Sequence, residues 1–444
     1  MLHGPLCWKI LFFALPLAAT SVLQQLFNSV DVAVVGRFAS SDALAAVGAN
    51  APVVSLFINL VVGLSLGVNA VVSTHIGQRD SEGVRKCVET GALLSVALGL
   101  ALAAAGSLAA TPLLTAMDTP RAVLADALLY LRIFFVGLPF LTVFNFCSAV
   151  LRSMGDTRRP LYILVAAGLV NTALNLLFVI VCHMGVAGVA VATAIANALS
   201  AALAVRLLCR EREPFRLRPR HLRFYRREAE RMVKIGLPAG LQGMVFALSN
   251  LVIQTGINSY GQYAVAGSAA ALNFEYYCYF VISAFNGAAI SFIGQNYGAG
   301  RMDRVRRCFW LCLGWAALLC GSLNLVFTAF SPFFLNLFSA DPSVWAFGTQ
   351  RMHTVLAVQW IACSYEVAAA SLRGMGISLR PTLLVVFGTC LLRMAWVWGV
   401  CPHWRGFVPL LTVYPVSWVV TGCLVLGFFF LMLRKRALAP APKQ

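Results

Sequence analysis

Apolar runs of about 20 residues recur along this 444-residue chain, each long enough to cross a hydrocarbon core about 30 Å thick. Hydropathy places twelve spans at 10–36, 44–75, 87–111, 123–150, 160–182, 186–207, 232–258, 263–297, 308–332, 344–371, 382–401 and 407–433. Composition agrees: 60% of the residues are hydrophobic and 11% charged, against about 25% charged in a soluble domain. So few polar residues would not cover a water-soluble globule of this size. The chain reads as an all-α membrane protein with twelve transmembrane helices.

A net charge of +18 would suit a nucleic-acid partner, but its placement does not. When the connections are numbered alternately, 28 of the 34 Lys and Arg fall on one side. Eleven of them lie between Arg206 and Lys234, and the tail adds Arg434, Lys435, Arg436 and Lys443. The opposite connections hold only Arg37, Arg121 and Arg405. Basic residues stay on the cytoplasmic side, which sets both termini in the cytoplasm of a multi-pass protein in a bacterial inner membrane. No nucleic-acid partner is expected. The run from Lys9 past Pro16 to Gly36 has no small-residue cleavage site and reads as a span, not a signal peptide. Thirteen cysteines include no CxxC pair and six histidines lack metal-ligand spacing, so no metal site is expected.

The chain also repeats itself. LRSMGDTRRP at 151–160 returns as LRGMGISLRP at 372–381, and GVRKC at 83–87 as RVRRC at 304–308, both displaced by 221 residues. Leu15-Pro16-Leu17-Ala18 echoes Leu237-Pro238-Ala239-Gly240 at a displacement of 222. A repeat of six spans gives two halves of the same orientation, with a cavity expected between them near the midplane. The expected division is an N-lobe at 1–207, a basic cytoplasmic linker at 208–231 and a C-lobe at 232–444. The linker, with Pro214 and Pro219, reads as a hinge tether lying along anionic lipid headgroups.

Ionisable groups at membrane depth are costly, so each is a functional candidate. Thr20, Gln24, Asn28 and Asp31 share one face of the first span, and no basic residue of a neighbouring span is an obvious partner for Asp31. Asn171 and Asn175 stand one turn apart in the fifth span, as Thr193 and Asn197 do in the sixth. These side chains either line one polar pocket with Asp31 or act as interhelical glue. The second half differs: Ile253 takes the place of Asp31, while Glu275, Glu366 and Arg393 bring charge into other spans. They are candidates for a second ion or substrate site, or for an ion pair between Arg393 and one Glu. Tyr276, Tyr277, Tyr279, Trp396 and Trp398 nearby offer cation–π faces or interface anchors. No nucleotide-binding loop is present, so an ion gradient must drive uphill transport.

These residues resemble the multidrug and toxic compound extrusion (MATE) family, and more closely its DinF-like bacterial branch. The resemblance rests on Pro16 and Asp31, Val35-Gly36-Arg37, Ala43-Leu44-Ala45-Ala46-Val47-Gly48, Leu151 to Thr157, Gly294-Gln295-Asn296, Leu372 to Gly376 and Tyr414 to Trp418. It implies two pseudo-symmetric six-helix bundles in a V shape and a secondary antiporter that exports cationic or amphiphilic organic compounds. It also implies a kink at Pro16 and a coupling site at Asp31, Asn171, Asn175 and Thr193, with Gln24, Asn28 and Asn197 lining the cavity. Some relatives carry Asp where Asn175 stands, and sodium-coupled relatives carry an acid in the seventh span, where 242–258 here has none. Protons are therefore the expected coupling ion, with sodium as the alternative and no cofactor. Organic cations and membrane lipid are the expected partners, for a monomer that is not an enzyme. A flippase for a lipid-linked envelope precursor is the competing reading; its anionic cargo would call for a cavity lined by several Arg or Lys.

Overall fold

The computed structural model describes residues 1–117 and 119–437, which form helices and connections with no strand among them. Lys443 and the rest of the expected tail beyond 437 lie outside the described residues. Twelve described helices are long and apolar enough to cross a membrane. Numbered 1 to 12, they are Leu6–Phe38, Asp42–Gln78, Ser81–Ala116, Arg121–Met154, Arg158–Val181, Gly185–Cys209, Arg226–Asn258, Gln262–Gly298, Met302–Ala329, Pro342–Gly374, Leu379–Val400 and Phe407–Lys435. Each matches one span read from hydropathy, but several extend further at their ends. Helix 3 starts at Ser81, not near 87, because Asp80 caps it by accepting from the Gly83 N–H at 2.8 Å. That bond holds the Asp80 carboxyl below its ordinary value. Glu82 and Lys86 then pair at 2.8 Å along the first turns. Hydropathy cannot see a turn held by polar groups.

Three helices depart into π-helical or 3₁₀ geometry. Helix 5 ends in a π-helical turn at Leu177–Val181, and helix 11 has two, at Val386–Leu391 and Trp396–Val400. Helix 10 tightens to 3₁₀ geometry over Leu356–Ala362. Such departures from the regular ladder concentrate at functional sites.

The helices belong to two compact units. The N-unit is Ala19–Gly240, and the C-unit is Met1–Ala18 with Leu241–Gln444. This differs from the division expected at 207 and 232. The first 18 residues join the second half, while the linker and the start of helix 7 join the first. Both boundaries fall two residues after a proline, Pro16 and Pro238, which occupy equivalent places in the repeat. Proline has no N–H to give the preceding turn, so each boundary sits where its helix is short of one backbone bond.

Glycine explains why the start of helix 7 belongs to the N-unit. Gly63 and Gly67 on helix 2 face Gly236 and Gly240 on helix 7, two GxxxG pairs that bring the backbones into contact. A Cβ at Gly63 would lie 2.1 Å from the Gly240 nitrogen, and one at Gly67 2.2 Å from the Met232 carbonyl oxygen. The linker is tied down as well. The Leu217 N–H donates to the Leu208 carbonyl at 3.1 Å, the Tyr225 N–H donates to the Thr90 hydroxyl at 3.1 Å, and Arg159 bonds both Asp156 and Glu211. The segment expected as a tether is thus folded onto helices 3, 5 and 6.

In the C-unit the start of helix 1 is held in a corresponding way. Phe13 meets Phe292 of helix 8 edge-on at 5.4 Å, and Arg301 and Arg304 donate to the carbonyls of Leu2 and Met1 at 2.7 and 3.2 Å. The glycine crossing gives a direct test. Gly67→Val should destabilise the purified protein by about 1–3 kcal/mol through overpacking, read as a lower unfolding temperature in detergent. Gly427→Val, at a glycine with no atom near the added Cβ, should leave that temperature unchanged.

Candidate functional site

In the N-unit, helices 1, 5 and 6 bring four of the sequence candidates into one hydrogen-bonded cluster. Asp31 is half-buried on helix 1. Its Oδ1 accepts from Asn175 Nδ2 at 2.5 Å, and its Oδ2 accepts from the Thr193 hydroxyl at 3.4 Å. Asn175 Nδ2 also donates to Asn171 Oδ1 at 3.3 Å, and Asn171 Nδ2 donates to Thr193 Oγ1 at 3.3 Å. The two asparagines lie one turn apart, so both reach the same side of helix 5, and its π-helical turn begins two residues later.

Among the described residues, no Lys or Arg forms an ion pair with Asp31. Asn175 Oδ1 is buried and accepts no hydrogen bond. The cluster is therefore a carboxylate held by neutral donors, with one acceptor to spare. Gln24 and Asn28 are exposed and Asn197 is half-buried; none of the three joins this network.

The C-unit distributes its charges differently from expectation. Ile253, at the repeat position of Asp31, is fully buried. Arg393 does not pair with a glutamate among the described residues. Glu275 on helix 8 instead binds Arg351 on helix 10 through two bonds, from Nε at 2.6 Å and Nη2 at 3.0 Å. Both side chains are buried, and Gln359 in the 3₁₀ stretch donates to the Glu275 carbonyl at 3.0 Å. Helix 10 thus carries Arg351 along helix 8 to the glutamate, while Arg393 on helix 11 meets other groups.

Arg393 donates to Asn250 Oδ1 at 3.0 Å and to the Ser417 hydroxyl at 3.2 Å. Its guanidinium lies 4.4 Å from the Tyr414 ring centre and 5.6 Å from that of Phe246. Tyr414 is also 5.5 Å from Arg351, so one ring serves two guanidinium groups. Glu366 is buried and accepts from Asn286 at 2.8 Å. Glu275, Glu366 and Arg393 therefore have separate partners.

Of the aromatics expected as faces for an organic cation or as interface anchors, Tyr276, Tyr277, Tyr279 and Trp398 are exposed, and Trp396 donates to the Pro409 carbonyl at 3.0 Å. Tyr414 stands within a motif quoted above, and Arg351 falls inside the span read at 344–371. Their roles depend on packing between helices far apart in the chain.

The MatE family model matches residues 16–177 and again residues 238–398, so each repeat is a copy of one family unit. The chain is 28% identical over 398 residues to the probable multidrug resistance protein YpnP of Bacillus subtilis, covering 88% of this chain and 87% of that one. It is 24% identical over 450 residues to the probable multidrug resistance protein YoeA of the same organism, covering 97% and 95%. Its fold is that of a multidrug resistance MATE family transporter of the MOP superfamily solved in an outward-facing conformation. The TM-score is 0.91 at 20% identity, with 99% of this chain and 98% of that chain covered.

The Glu275–Arg351 pair carries a stability prediction. Arg351→Met should cost about 3–5 kcal/mol by leaving a buried carboxylate without its partner. The double variant with Glu275→Leu should recover most of that loss. Denaturant unfolding of the four forms in detergent, taken as a double-mutant cycle, checks both statements.

Proposed function

Because this chain belongs to the MatE family of membrane transporters, we propose that it is a secondary antiporter exporting cationic or amphiphilic organic compounds in exchange for protons, by alternating access. The names of YpnP and YoeA, both probable multidrug resistance proteins, support the substrate class. One observation carries the choice of proton: Asp31 is held by Asn175 and Thr193 and has no basic partner. As a carboxylate, Asp31 only accepts hydrogen bonds; once protonated, it gains an O–H that must donate. Asn175 then has reason to turn its amide and present Oδ1, the acceptor that has no partner in this arrangement. One proton therefore switches the cluster between two hydrogen-bond patterns, and a ligand that favours one of them shifts the balance.

Exchange of one proton for one monovalent cation moves no net charge, so the pH difference supplies the drive, about 1.4 kcal/mol per pH unit. In this reading the basic side faces the cytoplasm of a bacterial inner membrane, with both termini there. The protein acts as a monomer without a cofactor, and helix 1 bends at Pro16. A second reading, sodium coupling, draws on the same spare Asn175 oxygen, which would suit a hard cation beside Asp31.

Uptake of a fluorescent cationic dye into everted membrane vesicles separates the two. A pH gradient, acid inside, should drive uptake, and a sodium gradient alone should not. Asp31→Asn should reduce uptake to that of vesicles lacking the protein. Uptake that follows sodium, or that survives Asp31→Asn, overturns the proton reading.

A further inference from the structure

A second cluster in the N-unit lies away from Asp31, where helix 2 ends and helices 3 and 7 begin. The His75 ring is engaged on both sides, with Nδ1 2.9 Å from Asp80 Oδ2 and Nε2 3.1 Å from Glu228 Oε2. Cys87 Sγ lies 3.7 Å from the same Glu228 oxygen. His75, Cys87 and Glu228 are all buried, and one ligand atom from each lies within 4.8 Å of the other two. These side chains offer nitrogen, sulfur and oxygen to one point.

A tetrahedral zinc centre with bonds of about 2.0–2.3 Å sets neighbouring ligand atoms about 3.3–3.6 Å apart. The 3.1 and 3.7 Å separations here fall within a few tenths of an ångström of that range. Asp80 stands behind His75 as a carboxylate stands behind a metal-bound imidazole, fixing the tautomer that leaves Nε2 free to bind. The cluster opens on a polar cavity lined in part by Gln78, Lys86 and Arg231, with room for a water as a fourth ligand.

We propose that His75 Nε2, Cys87 Sγ and Glu228 Oε2 form a site for a divalent first-row transition cation, with zinc the best fit to this mixed donor set. Asp80 is the positioning residue. Binding releases two protons to solvent, that of the Cys87 thiol, which becomes a thiolate, and the one shared by His75 Nε2 and Glu228 Oε2, while His75 keeps the Nδ1 proton it donates to Asp80. Thiolate and two carboxylates against one divalent cation leave one negative charge, which Arg231 and Lys86 at the cavity rim offset. Arg231, 3.5 Å from the Glu228 oxygen and partly exposed, turns outward to admit the metal. The bound ion would clamp the first turn of helix 7 to helices 2 and 3, beside the glycine crossing. Spacing could not reveal the site, since Cys87 and Glu228 are 141 residues apart.

The test uses the full-length protein in detergent, stripped with chelator and then given Zn²⁺ or Co²⁺ alone. The expected result is one equivalent of zinc retained through gel filtration. The cobalt form should show the visible bands of a four-coordinate site and a thiolate charge-transfer band. Cys87→Ser should abolish that band, Cys308→Ser should keep it, and Glu228→Gln should lose the retained zinc. Asp80→Asn should keep the band while weakening affinity about 10–100-fold. Failure of the unaltered protein to retain metal overturns the proposal and leaves a hydrogen-bonded latch only, as does a charge-transfer band that survives Cys87→Ser. If Cys87→Ser does not fold, the unaltered protein and Asp80→Asn still decide the question, because a latch without metal shows no cobalt band.

Discussion

Hydrocarbon accepts and donates no hydrogen bonds, so each polar side chain buried within a span must find its partner inside the protein, on its own helix or on a neighbouring one. The chemistry of the partner then decides what the group can do. Glu275 is held by the Arg351 guanidinium, which has donors and no acceptor, so a protonated Glu275 would have its O–H facing more donors. Asp31 is held by an amide and a hydroxyl, which serve either role after a rotation. Asp31 thus sits among partners that tolerate both of its protonation states, as does Glu366 with the Asn286 amide. Glu275 sits with one that suits only the anion. The same demand for partners fixes helix 8 to helix 10 and ties helix 1 to helices 5 and 6.

The two units share a scaffold and invert its charge. A displacement of 222 puts Ile253 at the place of Asp31 and Asn250 at that of Asn28. A displacement of 221 puts Arg393 at the place of Thr172, beside Asn171. In the N-unit an acid on helix 1 takes hydrogen bonds from an amide on helix 5; in the C-unit a base on helix 11 gives one to an amide on helix 7. These are the same two helices of the repeat with the charged group moved to the other member and its sign reversed. One π-helical turn in each unit falls near the same place in the repeat, Leu177–Val181 and Trp396–Val400, whereas the turn at Val386–Leu391 and the 3₁₀ stretch at Leu356–Ala362 fall where the first half is regular α-helix.

What the sequence makes legible divides along physical lines. Spans are set by local composition, so all twelve helices could be read directly, and the internal repeat is a comparison of the chain with itself. The Asp31 cluster was also within reach, because buried amides spaced one turn apart are rare enough in apolar helices to be noticed. Pairing between distant helices was not. An ion pair between Arg393 and one Glu is one of the two roles the sequence leaves open, yet the 3₁₀ stretch of helix 10 and its packing along helix 8 give the glutamate to Arg351. The compact units divide elsewhere than the repeat does, and the signal for that is local: GLSLG at 63–67 and GLPAG at 236–240 are both GxxxG pairs. The His75 cluster left no local trace, since its members come from three helix ends.

Those glycine pairs and the two prolines divide helices 1 and 7 between the units. Helix 7 packs by Gly236 and Gly240 in the N-unit, passes Pro238, and by Gln242 is bonded to Arg373 of the C-unit at 2.7 Å. Helix 1 makes the reverse passage: Phe13 meets Phe292 in the C-unit, and past Pro16 the Phe27 ring fills the space over Gly168 in the N-unit. Each of these helices is committed by side-chain packing to both units, and each changes allegiance where a proline has removed a backbone bond. Asp31 lies on one of them, 13 residues beyond the boundary at Ala18, or about 20 Å along the helix. Its hydrogen bonds tie that stretch of helix 1 to helices 5 and 6 of the N-unit, while the first turns of the same helix are held in the C-unit by Phe13 against Phe292, and the turn preceding Pro16 is the one that lacks a backbone bond.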